Sequence, residues 1–93
     1  MLNKELITAF GKHIRYLREQ KGISQEELSF KTGFHRTYIG MIERGERNIS
    51  LSNIAVFAKI FEMDISALLD LKSVAPDLNY DVYQSKIELN QNE

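Results

Sequence analysis

Residues 25–44 read QEELSFKTGFHRTYIGMIER, and this stretch decides the fold. Ser24 precedes it and Glu27 lies three positions on, the reciprocal capping pair that opens a helix. Leu28 supplies that helix's core contact, with Phe30 a second, and the pattern ends at Thr32-Gly33. A turn, Thr32-Gly33-Phe34, leads to a second short helix over Arg36–Glu43 that carries Tyr38, Ile39 and Ile42. Ser29 is small where the two helices must approach. Ile39 and Ile42 anchor the second helix inward, which leaves His35, Arg36, Thr37, Gly40, Met41 and Arg44 pointing away from the core. A helix held this way can enter a B-DNA major groove, about 12 Å wide, leading with its N-terminal residues.

On the N-terminal side, Leu6, Phe10, Ile14 and Leu17 recur at helical spacing with Ile7 beside them. Lys12, Arg15, Glu19 and Gln20 fill the opposite face, so an amphipathic helix is expected over Lys4–Lys21, stopped by Gly22. Beyond Gly45, Glu46-Arg47-Asn48 reads as a loop. Ser50 then caps a helix over Leu51–Phe61 with Ile54, Phe57, Ala58 and Phe61 on one side. Asp64 caps a fifth, Ile65 to about Lys72, with Leu68 and Leu69 inward. Pro76, the only proline, marks a boundary. In the tail, Leu78, Tyr80 and Val82 alternate like a strand, while Tyr83, Ile87 and Leu89 suit a helical turn; the pattern fits both. The expected architecture is all-α: a compact five-helix domain over residues 1–73 and a C-terminal tail over 74–93.

The 93 residues make a single small domain, which gains stability if a partner adds buried area. With no cysteine, disulfides and thiolate metal sites are excluded. No run nears the roughly 18 apolar residues of a membrane span, and the start, Met1-Leu2-Asn3-Lys4-Glu5, lacks the layout of a secretory signal. A cytoplasmic protein that meets no membrane is the simplest expectation. The formal charge of −1 argues against a nucleic-acid partner only when averaged. Residues 1–73 hold 11 Lys/Arg against 9 Asp/Glu, whereas residues 74–93 hold Lys86 against four carboxylates. The acidity is in the tail.

The chain resembles the phage Cro/repressor-like helix-turn-helix domains, the xenobiotic-response-element family, over about residues 6–72. The resemblance is carried by Gly11, Ile14-Arg15, Leu17-Arg18 and Gly22-Ile23-Ser24-Gln25-Glu26-Glu27-Leu28. It continues through Tyr38-Ile39, Ile42-Glu43-Arg44-Gly45 and Arg47-Asn48. Controller proteins of restriction–modification systems are the most similar members, through Arg36-Thr37-Tyr38-Ile39 and Ile42-Glu43-Arg44 with Arg47-Asn48. The departures are Ser29, where alanine is commoner, and a tail beyond Pro76 longer than many controllers carry.

The resemblance implies DNA-facing roles for nine residues and a structural one for two more. Gln25 would hold a DNA phosphate with the helix N-terminus, or be a plain capping-region polar residue. Arg36 and Thr37 would read bases, the arginine fork matching guanine O6/N7 and the threonine a thymine methyl. Arg36 could also be a phosphate contact or a solvated surface residue. His35 and Met41 share that face, although an exposed methionine also suits a protein partner. Tyr38 would reach the DNA backbone through its hydroxyl, or bury its ring. Arg44, Arg47 and Asn48 would meet the backbone, with Arg47 also able to read bases. Arg18 and Glu43 match a family ion pair that is structural.

A sequence-specific DNA-binding regulator acting as a homodimer is therefore the leading reading, with no cofactor. A protein–protein module on the same fold, of antirepressor or antitoxin type, is the alternative. Catalysis has little support: His13 and His35 lie on different helices without ligand spacing, and no phosphate-cradling glycine loop is present. The dimer is expected through Ile65, Leu68, Leu69 and their neighbours, because Ile60, Phe61, Met63, Ile65, Leu68, Leu69 and Leu71 exceed what one small core needs. Tyr80, Val82 and Tyr83 extend that patch or fold back over the monomer. A monomer that dimerises only on DNA is the other possibility.

Overall fold

A computed structural model describes residues 3–78. Among them are five helices and no strand: α1 Lys4–Gln20, α2 Gln25–Thr32, α3 Arg36–Glu43, α4 Leu51–Ile60 and α5 Ile65–Leu68.

Most helix starts are fixed by a side chain that accepts an otherwise orphaned backbone N–H. Asn3 accepts from Leu6 at 3.0 Å, and Ser50 accepts from Asn53 at 3.2 Å. The Ser24–Glu27 capping box is complete: Ser24 Oγ accepts from the Glu27 N–H at 3.0 Å, and Glu27 Oε1 from the Ser24 N–H at 3.2 Å. Gly33 ends α2 in the left-handed conformation at φ 80°, a geometry that glycine adopts at no steric cost. The turn into α3 is also tied by side chains. Thr32 Oγ1 accepts from the Phe34 N–H at 3.1 Å and donates to the Leu28 carbonyl at 2.9 Å. Ser29, the departure from alanine, donates to the Phe34 carbonyl.

The core gathers Ala9, Phe10 and Ile14 of α1 around Leu28, Ile39, Ile42, Phe57, Ala58, Leu68 and Leu71. Helix α1 lies directly on α3. A Cβ added at Gly11 would fall on the Ile42 carbonyl oxygen and within 3.0 Å of the Glu43 carbonyl oxygen, so the two backbones meet with no side chain between them. His13, on the same helix, is buried with neither ring nitrogen hydrogen-bonded among the described residues. Burial pushes its pKa down, and the nearby Asp70 carboxylate opposes that shift.

Several expectations are corrected. Phe30 is 78% exposed rather than a core contact, because two residues along a helix turns a side chain about 200° away from Leu28. Gly40 is turned away from the core as expected but is covered rather than open, beneath the side chains of Arg44 and Gln25. Helix α5 ends at Leu68, not Lys72, and Asp64 makes no side-chain cap bond. Past Leu68 the backbone tightens, with Asp70 N bonded to the Ala67 carbonyl at 3.2 Å and Val74 N to the Leu71 carbonyl at 3.2 Å. Leu71, three residues on from Leu68 and on the same side, is in the core, and Leu69, the next residue after Leu68, is left outside. Leu68 is fully buried in its own chain, so it has no surface to offer a partner; Ile65 and Leu69 remain exposed. Val74, Ala75 and Leu78 pack against the same core. The expectations for Tyr80, Val82, Tyr83, Ile87 and Leu89 lie outside the described residues.

Candidate nucleic-acid interface

The N-terminus of α3 is shaped by His35, whose Nδ1 accepts a hydrogen bond from the Thr37 N–H at 3.0 Å. This cap places Arg36 and Thr37 on the first turn, both exposed. Among the described residues Arg36 joins no ion pair.

Beneath them runs a network that fixes α3 to α1 and α2. Arg18 Nε donates to Glu43 Oε2 at 2.7 Å and Arg18 Nη2 to Glu43 Oε1 at 3.0 Å. Arg18 Nη1 donates to the Ile23 carbonyl at 2.9 Å. Gln25 Nε2 adds a third bond to Glu43, at 3.1 Å. The hydrogen-bonded carboxylate raises the Arg18 pKa further above its ordinary value. The expected ion pair is thus present, and Glu43 is the buried hub of three helices. Gln25 is half-buried and oriented from below by Glu43, a bond that neither the expected phosphate contact nor the capping-region alternative included.

The remaining expected residues sort by position. Gln25, Arg36, Thr37 and Arg44 line one concavity of about 320 Å³ with Gly40 at its base. Arg44, Arg47 and Asn48 line a second, of about 370 Å³, with Lys4 and Thr8 of α1. Arg44 is common to both. Its Nε donates to Glu46 Oε2 at 2.6 Å and its Nη2 to Glu46 Oε1 at 3.3 Å. That bond raises the Arg44 pKa and holds the Glu46 carboxyl below its usual range.

His35, Tyr38 and Met41 line neither concavity. Met41 is half-buried. Tyr38 follows the second of its expected behaviours, a ring partly buried in the protein, and its hydroxyl is taken up by a neighbouring side chain. Its ring meets the Phe34 edge at 5.3 Å between centroids, while its hydroxyl accepts from Asn53 Nδ2 at 2.9 Å. The Arg47 guanidinium rests over the ring, 5.9 Å from its centroid, a cation–π approach that also orders the loop.

Three participants escaped the sequence: Glu46, Asn53 and Lys4. Glu46 had a signal, a carboxylate two residues from an arginine expected to meet DNA. Lys4 and Asn53 had none, since only tertiary packing brings them here. No group of three or more His, Cys, Asp and Glu among the described residues could hold a metal ion.

A helix-turn-helix family profile matches residues 14–68. Control protein C.BamHI of Bacillus amyloliquefaciens is 44% identical over 66 residues, 70% of this chain and 82% of that protein. Control protein C.SmaI of Serratia marcescens is 41% identical over 59 residues, 63% of this chain and 70% of that protein. Among solved structures, the restriction-modification controller protein C.AhdI from Aeromonas hydrophila superimposes with a TM-score of 0.64 at 44% identity. That superposition covers 67% of this chain and 94% of that one.

Proposed function

The chain belongs to the helix-turn-helix family, and from that premise we propose that it is a sequence-specific DNA-binding transcriptional regulator of controller type. It binds a pseudo-palindromic operator as a homodimer. The family resemblance read from Arg36–Ile39 and Ile42–Asn48 is borne out by the similarity to control proteins. One observation carries the functional reading: Arg36 and Thr37 stand exposed on the first turn of α3, around one concavity with Gln25 and Arg44. That is the leading edge of a helix built to enter a major groove.

Arg36 is the principal base reader, Thr37 reads beside it, and Gln25 supplies a phosphate contact. Arg47 and Asn48 meet the backbone from the second concavity with Lys4. His35 and Met41 act at the margin of the helix, and Tyr38 acts chiefly by seating Arg47. Selection of bound duplexes from a random pool tests this and yields the half-site. On the selected site Arg36→Ala should cost about 1–3 kcal/mol and relax preference at one position. An equal loss on random DNA would make Arg36 a phosphate contact instead.

The dimer follows from the size of the task. One recognition helix covers too few base pairs to select a unique site, so two must sit about 34 Å apart on one DNA face. Ile65 and Leu69, one helical turn apart and both exposed, support a self-complementary patch at α5. Sedimentation of the full chain and of Ile65→Asp/Leu69→Asp tests it. A wild-type monomer at tens of micromolar without DNA would remove the free dimer and leave dimerisation on DNA. The protein–protein alternative separates by salt: binding through several phosphates weakens steeply as salt rises, whereas an apolar interface does not.

A further inference from the structure

Arg44 borders both concavities of the DNA-facing surface, yet its guanidinium is already engaged, fork to fork, by Glu46. The site is built to receive that pair. A Cβ at residue 40 would lie 3.0 Å from Arg44 Nη1 and 3.7 Å from Gln25 Oε1, so the Arg44 guanidinium lies close over the recognition helix where glycine leaves the backbone bare. The backbone of Glu46 is fixed as well. Its N–H donates to the Met41 carbonyl at 2.8 Å. Gly45 before it turns at φ 74°, with its missing Cβ position 2.9 Å from Thr8 Oγ1. Both side chains are nonetheless exposed. An ion pair of that kind is weak enough to open and is screened by salt.

We infer that Glu46 is a specificity-determining residue, a carboxylate latch that withholds Arg44 from non-cognate DNA and yields it to the cognate site. The inference rests on the DNA-binding reading above. A guanidinium fork fits a carboxylate, a phosphate or the O6/N7 edge of guanine. While the latch is closed, the pair is close to neutral and releases no counterion on DNA. A non-cognate duplex offers Arg44 only a loosely placed phosphate, and the tethered carboxylate holds it. The cognate site seats α3 more deeply and presents a contact of better geometry, so the arginine crosses over and Glu46 turns to water. The same charge that strengthens the specific complex is thereby missing from the non-specific one.

The test compares wild type with Glu46→Gln on a labelled random-sequence duplex and on the site recovered by selection, by fluorescence anisotropy at several salt concentrations. Freed from its carboxylate, Arg44 should raise affinity for the random duplex roughly three- to tenfold and steepen the log–log salt slope by about 0.9. Affinity for the selected site should rise less, so that the ratio between the two falls. The Arg44 Nε–H resonance, assigned with Arg44→Lys, gives a second readout in wild type. It should stay at its free-protein position on the random duplex and move on the selected one. An equal or larger gain on the selected site, or a resonance that moves alike on both, overturns the latch and leaves Glu46 a simple repulsive charge. Failure of the wild type to bind any duplex overturns the DNA reading itself and the latch with it.

Discussion

Between Ser24 and Thr37, both helix starts and the turn between them carry side-chain hydrogen bonds from Ser24, Glu27, Ser29, Thr32 and His35. Between Asp64 and Leu78 the backbone makes similar turns, but among the described residues its one side-chain bond is long, 3.4 Å from Lys72 N to Asp70 Oδ1. That segment is held by what Leu68, Leu71, Val74 and Leu78 bury. The recognition unit is specified twice, by local chemistry and by packing. The C-terminal segment is specified once. The side proposed to read DNA is therefore rigid before it meets a ligand, and the side proposed to pair with a second copy leaves apolar residues uncovered.

The strongest way to break the contrast is Gly11→Ala. The added methyl has no space beside the Ile42 carbonyl, and neither α1 nor α3 can retreat without unpacking Ile14 and Ile39, so unfolding free energy should fall by at least about 3 kcal/mol in urea titration. A loss below 1 would mean that the recognition unit is looser than its bonds imply. Next, Arg18→Ala strips the buried Glu43 of two bonds and should cost about 2–3 kcal/mol. Arg15→Ala, which removes only the exposed pair with Glu19, should stay within about 0.5. Equal effects would erase the distinction between structural and surface charge here.

The two helix starts supply a matched pair. Ser24→Ala should cost about 1 kcal/mol, and Asp64→Ala no more than a few tenths, since Asp64 makes no cap bond. The smallest effect is set by pH and falls where the two regions meet. His13 has a folded-state pKa below its ordinary 6.5, so below pH 6.5 the unfolded chain binds more protons than the native one. Its contribution to stability is complete above that pH and is lost as pH falls through the folded value. Urea midpoints at pH 7.5 and 5.5 should differ more for wild type than for His13→Phe.

The same contrast explains what could be read in advance. α2 and α3 were legible to the residue, because Ser24, Gly33 and the Ile39/Ile42 spacing are local signals that tertiary packing did not override. α5 was not. Its apolar run fits a longer helix, and the backbone tightens after Leu68 without a breaker residue to announce it. It is Leu71, rather than the expected Leu69, that shares a side with Leu68. For the site, residue types named the exposed arginines. The bonds from Gln25 to Glu43 and from Asn53 to Tyr38 cross the fold and leave little periodic trace, whereas the Arg44–Glu46 pair is local and had its signal two residues along the chain. Phe30 misled because apolar character was weighed above its angle on the helix.

The contact of Gly11 with the Ile42 carbonyl has a bearing on how such a protein diversifies. Where helices pack through side chains, exchanging a leucine for a valine can tilt one against the other, and a lineage can explore new docking angles in small steps. Here backbone touches backbone, so no graded adjustment exists at that point. The pitch of the recognition helix is inherited as a constant, and a change of operator must come through the exposed letters of α3 and its following loop. A library confined to His35, Arg36, Thr37, Met41 and Arg47 should therefore yield altered DNA preferences, whereas one confined to the α1–α3 contact should yield mostly unfolded chains.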